Sequence, residues 1–275
     1  MTKKFHIGCQ SWQYEDWITK VGGEPVFYPR GTRPSDMLAF YSEVFDTIEV
    51  DSTAYGTPAL STLEGWAATT PDNFLFSLKV PRTITHEFSL TSLSFALMDE
   101  FVDVARRLGQ KLGVLLIQLP ASFESTKENG TALRGFIERL PTDLRFAVEF
   151  RHPGWFIEWT LDELNSRGIA LALVAGKWIP EDVMFSSFSK TKSSFAYLRL
   201  MGIRDLPRFD RVYRDRSGEI QSWATRMRSL VADEVFVYVD NYFEGHSPAT
   251  ANKLKAALEI PVNEPSLLDP QASLF

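Results

Sequence analysis

The sequence predicts an α/β fold, a single-domain (β/α)8 barrel of the TIM type, and three observations carry that prediction. Eight short β-rich runs recur along the chain, helix-like stretches lie between most of them, and 275 residues is an ordinary length for one such barrel. Strands that alternate with helices pair in parallel. An open doubly wound sheet is the alternative topology, but no Gly-rich dinucleotide fingerprint follows the first run.

The β-rich runs read, in order, "KFHIGCQ", "DTIEVDS", "NFLFSLKV", "LGVLLIQLP", "LRFAVEFRH", "IALALVAG", "FAYLRLMG" and "EVFVYVDN". The helix-like stretches are "PSDMLAFYSEVF", "ALSTLEGWAATT", "SFALMDEFVDVARRLGQ", "TALRGFIERL", "TLDELNSRG", "EIQSWATRMRSLVAD" and "PATANKLKAALE". The gap after the sixth strand, "KWIPEDVMFSSFSKTK", is poorly periodic, and no helix is read there. The barrel is expected over residues 1–260. Pro261, Pro265 and Pro270 then break any regular helix, so 261–275 reads as an extended tail.

A hydrophobic fraction of 44% supplies a large core, and 23% charged residues exclude a disordered chain. The net charge of −6 argues against broad coating of nucleic acid, though not against a local basic site. Cys9 is the one cysteine, which excludes an internal disulfide and fits a reducing compartment. "MTKKFHIG" runs straight into strand-like sequence without an apolar leader, and no apolar run approaches membrane-spanning length, so a cytoplasmic protein is expected.

A parallel strand is covered on both faces and should be almost wholly apolar. Several strands here turn polar toward their C-terminal ends, with period two. Ile48 and Val50 alternate with Glu49 and Asp51; Phe76 and Leu78 with Ser77 and Lys79; Phe146, Val148 and Phe150 with Ala147, Glu149 and Arg151. The bulky apolar set faces the helices, which turns the polar set toward the barrel axis. Gln10, Gln118, Arg199 and Asp240 join it by the same reasoning. Barrel enzymes place their chemistry at these strand ends. A self-satisfying buried ion network is the competing explanation, and burying so many charges for stability alone is costly. His86, His152 and His246 fall just beyond strand ends, whereas His6 and Cys9 read as packed core. Trp12, Tyr14, Trp17, Tyr55, Trp155 and Phe156 make the mouth aromatic, and such rings stack on sugars or bases.

At these residues the chain resembles the YecE-like family, also called domain of unknown function 72. The resemblance spans nearly the whole length through "IGCQSWQYEDW", "FYPRG", "TIEVDSTAYGTP", "FSLKVPRTITHE", "LLIQLP", "VEFRHPGW", "LRLMG" and "VYVDNYFEGHSPATANKL". It implies a TIM barrel and no particular reaction. The family's polar signature falls on Glu49, Asp51, Lys79, His86, Gln118, Glu149, Arg151, His152, Arg199 and Asn241. The chain departs from many members in carrying Asp51 for Asn, Ala54 for Phe and Met201 for His, so no histidine follows the seventh strand here.

The expected chemistry is general acid–base catalysis of a hydrolase or lyase type on a sugar- or phosphate-containing substrate, nucleic acid included. The catalytic set is Glu49, Asp51, Lys79, Glu149, Arg151 and Arg199, with the two glutamates in opposite roles and the cations holding an anion. Gln10, Trp12, Tyr14, Tyr55, His86, Gln118, His152, Trp155, Asp240, Asn241 and Ser247 are expected to touch substrate. A second anion seat is expected where Ser247 and Pro248 open the last helix beside Gly202, Arg204 and Gly245. A metal on Glu49, Asp51, His86, Glu149 and His152 is the competing use of these residues, but no His-x-His or His-Glu-x-x-His spacing occurs and the interleaved Lys and Arg compete for the carboxylates, so neither metal nor cofactor is expected. A non-catalytic module binding an anionic ligand is the alternative. The closing "QASLF" resembles the bacterial sliding-clamp-binding peptide, which makes Gln271, Leu274 and Phe275 expected partner contacts, with packing of the tail on its own barrel as the competing outcome.

Overall fold

The computed structural model describes residues 3–263. Eight strands alternate with helices: β1 (Lys4–Cys9), α1 (Met37–Val44), β2 (Thr47–Val50), α2 (Leu60–Thr69), β3 (Leu75–Lys79), α3 (Phe95–Ala105), β4 (Leu112–Gln118), α4 (Lys127–Ile137), β5 (Arg145–Glu149), α5 (Glu158–Ser166), β6 (Ala170–Ala175), α6 (Glu181–Phe188), β7 (Phe195–Leu200), α7 (Ser217–Ser229), β8 (Glu234–Val239), the single-turn α8 (Asn241–Glu244) and α9 (Ser247–Ala257). All pairings are parallel, and the strand order runs β1-β8-β7-β6-β5-β4-β3-β2. This is the (β/α)8 barrel that alternation predicts. Two elements differ from the sequence reading. α6 lies in the aperiodic gap, where it buries only Met184, Ser187 and Phe188, too short a stripe for its period to register. α8 is a turn capped by the Asp240 carboxylate, which accepts from the amide of Tyr242 at 3.3 Å.

Period two sorts the side chains as expected. Ile7, Cys9, Ile48, Val50, Phe76, Leu78, Ile117, Val148, Leu198 and Val237 pack outward into one large core against the helices. Val114, Leu116, Ala147, Ala170, Ala172, Phe195, Tyr197, Phe236 and Tyr238 fill the barrel interior as a separate cluster. His6 stacks on Phe236 at 4.8 Å between ring centroids and reaches Asp46 Oδ2 with Nδ1 at 3.0 Å. Above it the Tyr238 hydroxyl joins Thr47 Oγ1 at 2.7 Å and Ser77 Oγ at 2.8 Å. The upper floor is therefore set on a packed plug, and no channel underlies it.

The ring closes unevenly. β1 pairs with β8 from Lys4↔Glu234 through Cys9↔Val239. Toward β2 it makes, among the described residues, one bridge, Gln10↔Glu49, with the Ser11 amide donating to Glu49 O at 2.9 Å. The Tyr41 hydroxyl spans the rest of this seam, accepting from the Cys9 amide at 2.7 Å and donating to Thr47 O at 3.0 Å. Gly8 permits the close approach, since a Cβ there would lie 2.1 Å from Thr47 O.

Gln271, Leu274 and Phe275, and all of the expected tail beyond residue 263, lie outside the described residues. Among the described residues no helix is long and apolar enough to cross a membrane.

The seam makes a prediction. Tyr41→Phe keeps the buried ring and leaves the Cys9 amide and Thr47 carbonyl without partners, so it should cost about 2–4 kcal/mol of unfolding free energy. Urea denaturation of the two proteins measures it, and a loss below about 0.5 kcal/mol would show that the hydroxyl does not hold the seam.

Candidate functional site

The polar ends of β2, β5 and β7 meet at the C-terminal mouth. Arg199 stands at the centre. Its Nε and Nη2 donate to Glu49, the shortest contact being Nη2 to Oε1 at 2.7 Å, while Nη1 donates to Glu149 Oε2. Tyr197, two residues earlier on the same inward face, donates to Glu49 Oε2 at 2.5 Å. All four side chains are buried. One guanidinium thus ties two carboxylates from opposite arcs of the barrel, a fork that arginine can make and lysine cannot. Burial opposes ionisation of Glu149, but Arg199, Arg151 and Lys79 outweigh it and pull the carboxyl down to about 2. Glu149 therefore stays ionised, so of the two roles expected for the glutamates it can take the base's and not the acid's. Arg199 is likewise spent on the carboxylates and is not available to hold an anion.

The mouth carries further charges. Arg151, just past β5, gives Nε to Glu149 Oε1 at 2.7 Å; among the described residues its two Nη groups make no hydrogen bond. Lys79, at the end of β3, gives Nζ to Asp51 Oδ1 at 3.0 Å and has two further donors. His86 sits on the π-helical turn Thr83–Glu87 that follows β3. Burial, then Arg82, Lys79 and Arg151, push its imidazole down to about 4, so it is neutral near pH 7 and reports a cationic surrounding. His152 Nδ1 accepts from the Gly154 amide at 3.2 Å, capping the short turn that carries Trp155. Next to Lys79 stand Asp51 and, close enough to feel the Asp51 charge, Asp240. Lys79, Arg199 and Arg204 overcome burial to hold Asp51 below the usual carboxylate range. Asp240 behaves in the opposite way: burial, helped by Asp51, pushes it up to about 6 against the pull of the Tyr242 amide, Arg199 and Arg204.

Other residues expected at the site fall in several places. Gln10 lies in the floor, its Nε2 donating to Met201 Sδ at 3.0 Å. Gln118 lies beside Glu149 in register, and its buried Nε2 has no partner among the described residues. Tyr14 is half-buried on the rim near Asp240, its ring tilted against Trp17 at 4.8 Å between centroids, and Tyr55 is exposed. Trp12 and Trp155 are not at the mouth. Trp12 is buried edge-on against Trp66 at 5.5 Å, and Trp155 is buried between Phe123 and Phe150 with its indole N–H donating to Phe123 O at 2.6 Å. Both serve the outer core, because the long excursion between β1 and α1 and the turn after β5 fold back over the helices.

The expected second anion seat is also filled by the protein. Asn241 Oδ1 accepts from the Ser247 amide and from Ser247 Oγ, each at 2.9 Å, and from the Trp17 indole at 3.2 Å. Asn241 and Ser247 are therefore a buried clasp between α8, α9 and the β1 excursion. Gly202 and Gly245 answer packing: a Cβ on Gly202 would fall 1.8 Å from Tyr242 O, and Gly245 adopts φ +117 against Arg211 O. Two residues that sequence reasoning missed belong to the site. Tyr197 holds Glu49, and Trp178, in the loop after β6, lies over Arg151 at 5.5 Å. Among the described residues no group of three or more His, Cys, Asp or Glu is placed to hold a metal ion.

The central bridge is tested by Glu149→Gln. The variant leaves Arg199 and Arg151 short of a buried counter-charge and should lose about 3–5 kcal/mol at pH 7. The group's folded value of about 2 lies below its ordinary 4.5, so its stabilisation is present above pH 4.5 and disappears as the pH falls toward 2. Wild type and variant should converge over that window in urea titrations. A constant difference from pH 7 to pH 2.5 would show that the carboxylate charge is not what stabilises the mouth.

A family model described as a protein of unknown function, DUF72, matches residues 6–273. The protein YecE of Escherichia coli K12 is 28% identical over 164 residues, 60% of this chain and 54% of that protein, so the match spans about half the relative's length. YunF of Bacillus subtilis is 24% identical over 267 residues, 88% of this chain and 94% of that one. The crystal structure of a DUF72 family protein from Thermotoga maritima is similar with a TM-score of 0.74 and 26% identity, covering 93% of this chain and 99% of that one. The barrel, the polar ring at its mouth and the match over nearly its whole length agree: the chain belongs to the DUF72 family.

Proposed function

We propose that the protein is an enzyme of hydrolase or lyase type that seats an anionic, sugar- or phosphate-containing substrate on Lys79 and Arg151 and moves a proton through Asp240. One observation carries this reading: Asp240 is a buried carboxyl pushed up to about 6 at a mouth where another buried carboxyl, Glu149, is held at about 2. A group that titrates close to neutral pH both accepts and returns protons efficiently. The cations of the mouth supply unused donors for the anion, and His86, neutral and beside the cations, adds a polar contact that does not repel them. Glu49, Glu149 and Arg199 act as the frame that orients Arg151. The single buried cysteine, whose thiol burial pushes up to about 12, suits a cytoplasmic setting. A binding module without turnover would use the same anion seat and leave Asp240 idle.

Asp240→Asn separates these readings. Asparagine keeps the acceptor for the Tyr242 amide and removes a buried charge. A carboxyl at about 6 instead of 3.8 penalises the folded state by about 3 kcal/mol at neutral pH. The penalty appears as pH rises above 3.8 and is complete above 6. The variant should therefore be more stable than wild type by about 1–3 kcal/mol at pH 8, and equal to it at pH 3.5. A screen of sugar phosphates, phosphodiesters and abasic DNA, with and without divalent ions, should find turnover in wild type that falls at least about 100-fold in the variant. Saturable binding without turnover in both proteins would support the binding module.

The partner in this proposal rests on sequence alone. "QASLF" gives Leu274 and Phe275 as apolar anchors and Gln271 as a polar one for a bacterial sliding clamp. Calorimetric titration of purified clamp should show micromolar binding to the full chain and none to a variant lacking residues 271–275, with melting temperature unchanged. A lowered melting temperature without clamp binding in either form would assign the segment to the barrel itself.

A further inference from the structure

The loop after β6 carries a side chain that no other part of the fold explains. Trp178 is 39% exposed, although indoles usually bury most of their surface. The next residue, Ile179, is buried and fixes the loop to the core, and Pro180 caps α6. Trp178 is thus an exposed ring on a tethered backbone. The Arg151 guanidinium lies 5.5 Å from its centroid and Lys177 Nζ lies 4.7 Å from it, so two cations gather around one aromatic face system at the rim. Arg151 in turn is fixed from below by Glu149 at 2.7 Å. A chain of contacts therefore runs from the buried Glu149, through the guanidinium whose Nη groups are unused, to an exposed indole.

We infer that Trp178 is a stacking platform for a planar ring, and that the substrate is a phosphate ester bearing such a ring, the chemistry of a nucleotide. The inference rests on the anion seat proposed above and adds to it the group on the substrate's β6 side. A phosphate on Arg151 would bring the rest of the ligand toward the loop after β6, since the Arg151 guanidinium lies 5.5 Å from the Trp178 ring. A flat indole held in place matches a planar ring by offset stacking, and the neighbouring cations suit the phosphate that such a ring would carry. Tyr14 and Tyr55 stand on the loops after β1 and β2, and among the described residues Trp178 is the ring paired with Arg151.

Fluorescence or calorimetric titration with ribose 5-phosphate, adenosine 5′-monophosphate and a short single-stranded oligonucleotide tests this on the full chain. The adenine ring should improve affinity over ribose 5-phosphate between about fivefold and a hundredfold. Trp178→Ala should lower monophosphate affinity at least about fivefold more than ribose 5-phosphate affinity, and Trp178→Phe should restore part of the difference. Tighter binding of the oligonucleotide identifies a nucleic-acid strand as the source of the ring, and tighter binding of the monophosphate a free nucleotide. Equal affinity for ribose 5-phosphate and the monophosphate, or an equal loss of both in Trp178→Ala, overturns the platform and leaves the anion seat standing. Absence of binding by all three ligands overturns the anion seat and the platform with it.

Discussion

Arg199 bonded to Glu49 and Glu149 is the interaction on which the mouth depends. It joins β2, β5 and β7 across the axis, and each of its three nitrogens has a carboxylate oxygen to meet. A buried ion triad gains little over well-packed apolar side chains, yet removing one member is costly. Its effect here is geometrical. With both carboxylates committed to Arg199, Glu149 still has Oε1 to offer Arg151, and that bond aims a second guanidinium at the rim. The interior plug of Tyr197, Tyr238 and Phe236 sets the height at which this happens.

Once the triad is formed, the remaining groups differ by environment more than by kind. Two aspartates stand near each other at the mouth. Asp51 is held ionised by Lys79, while Asp240 lies deeper, has no cation in direct contact among the described residues and keeps its proton to higher pH. Separation of this kind, between like groups in unlike surroundings, is how a protein obtains an acid and a base from one side-chain type. It is also destabilising at neutral pH, because folding must then hold Asp240 charged in buried surroundings.

Alternation within strands made much of this legible from sequence. Glu49, Lys79, Glu149, Arg199 and Asp240 each follow two or more inward or outward residues in strict period two, and a one-residue error would have turned a charge into the apolar outer core. What alternation does not carry is pairing. Nothing in "LRL" says that Arg199 reaches two glutamates, so its assignment as an anion-binding group yielded to a structural one. Irregular segments were harder still. Trp12 and Trp155 sit next to mouth residues in sequence, but their burial depends on how loops fold back over α2 and α4. Trp178 lay in the stretch with no period, where the useful sign was a tryptophan just past a strand end and before Ile-Pro.

The uneven seam of the barrel has a consequence for how the protein is made. β1 finds its full partner only in β8, with Lys4 opposite Glu234, whereas its neighbour in sequence offers it one bridge and a tyrosine hydroxyl. Closing so long a loop comes late, because its entropy must be overcome before the contact rewards it. During synthesis the partner that covers the edge of the first strand is made last but for the closing helices. Gln10 and Asp240, carried just beyond those two strands, take their places at the mouth with that closure, so a chain cut before β8 would carry Lys79, Glu149 and Arg151 but lack Asp240.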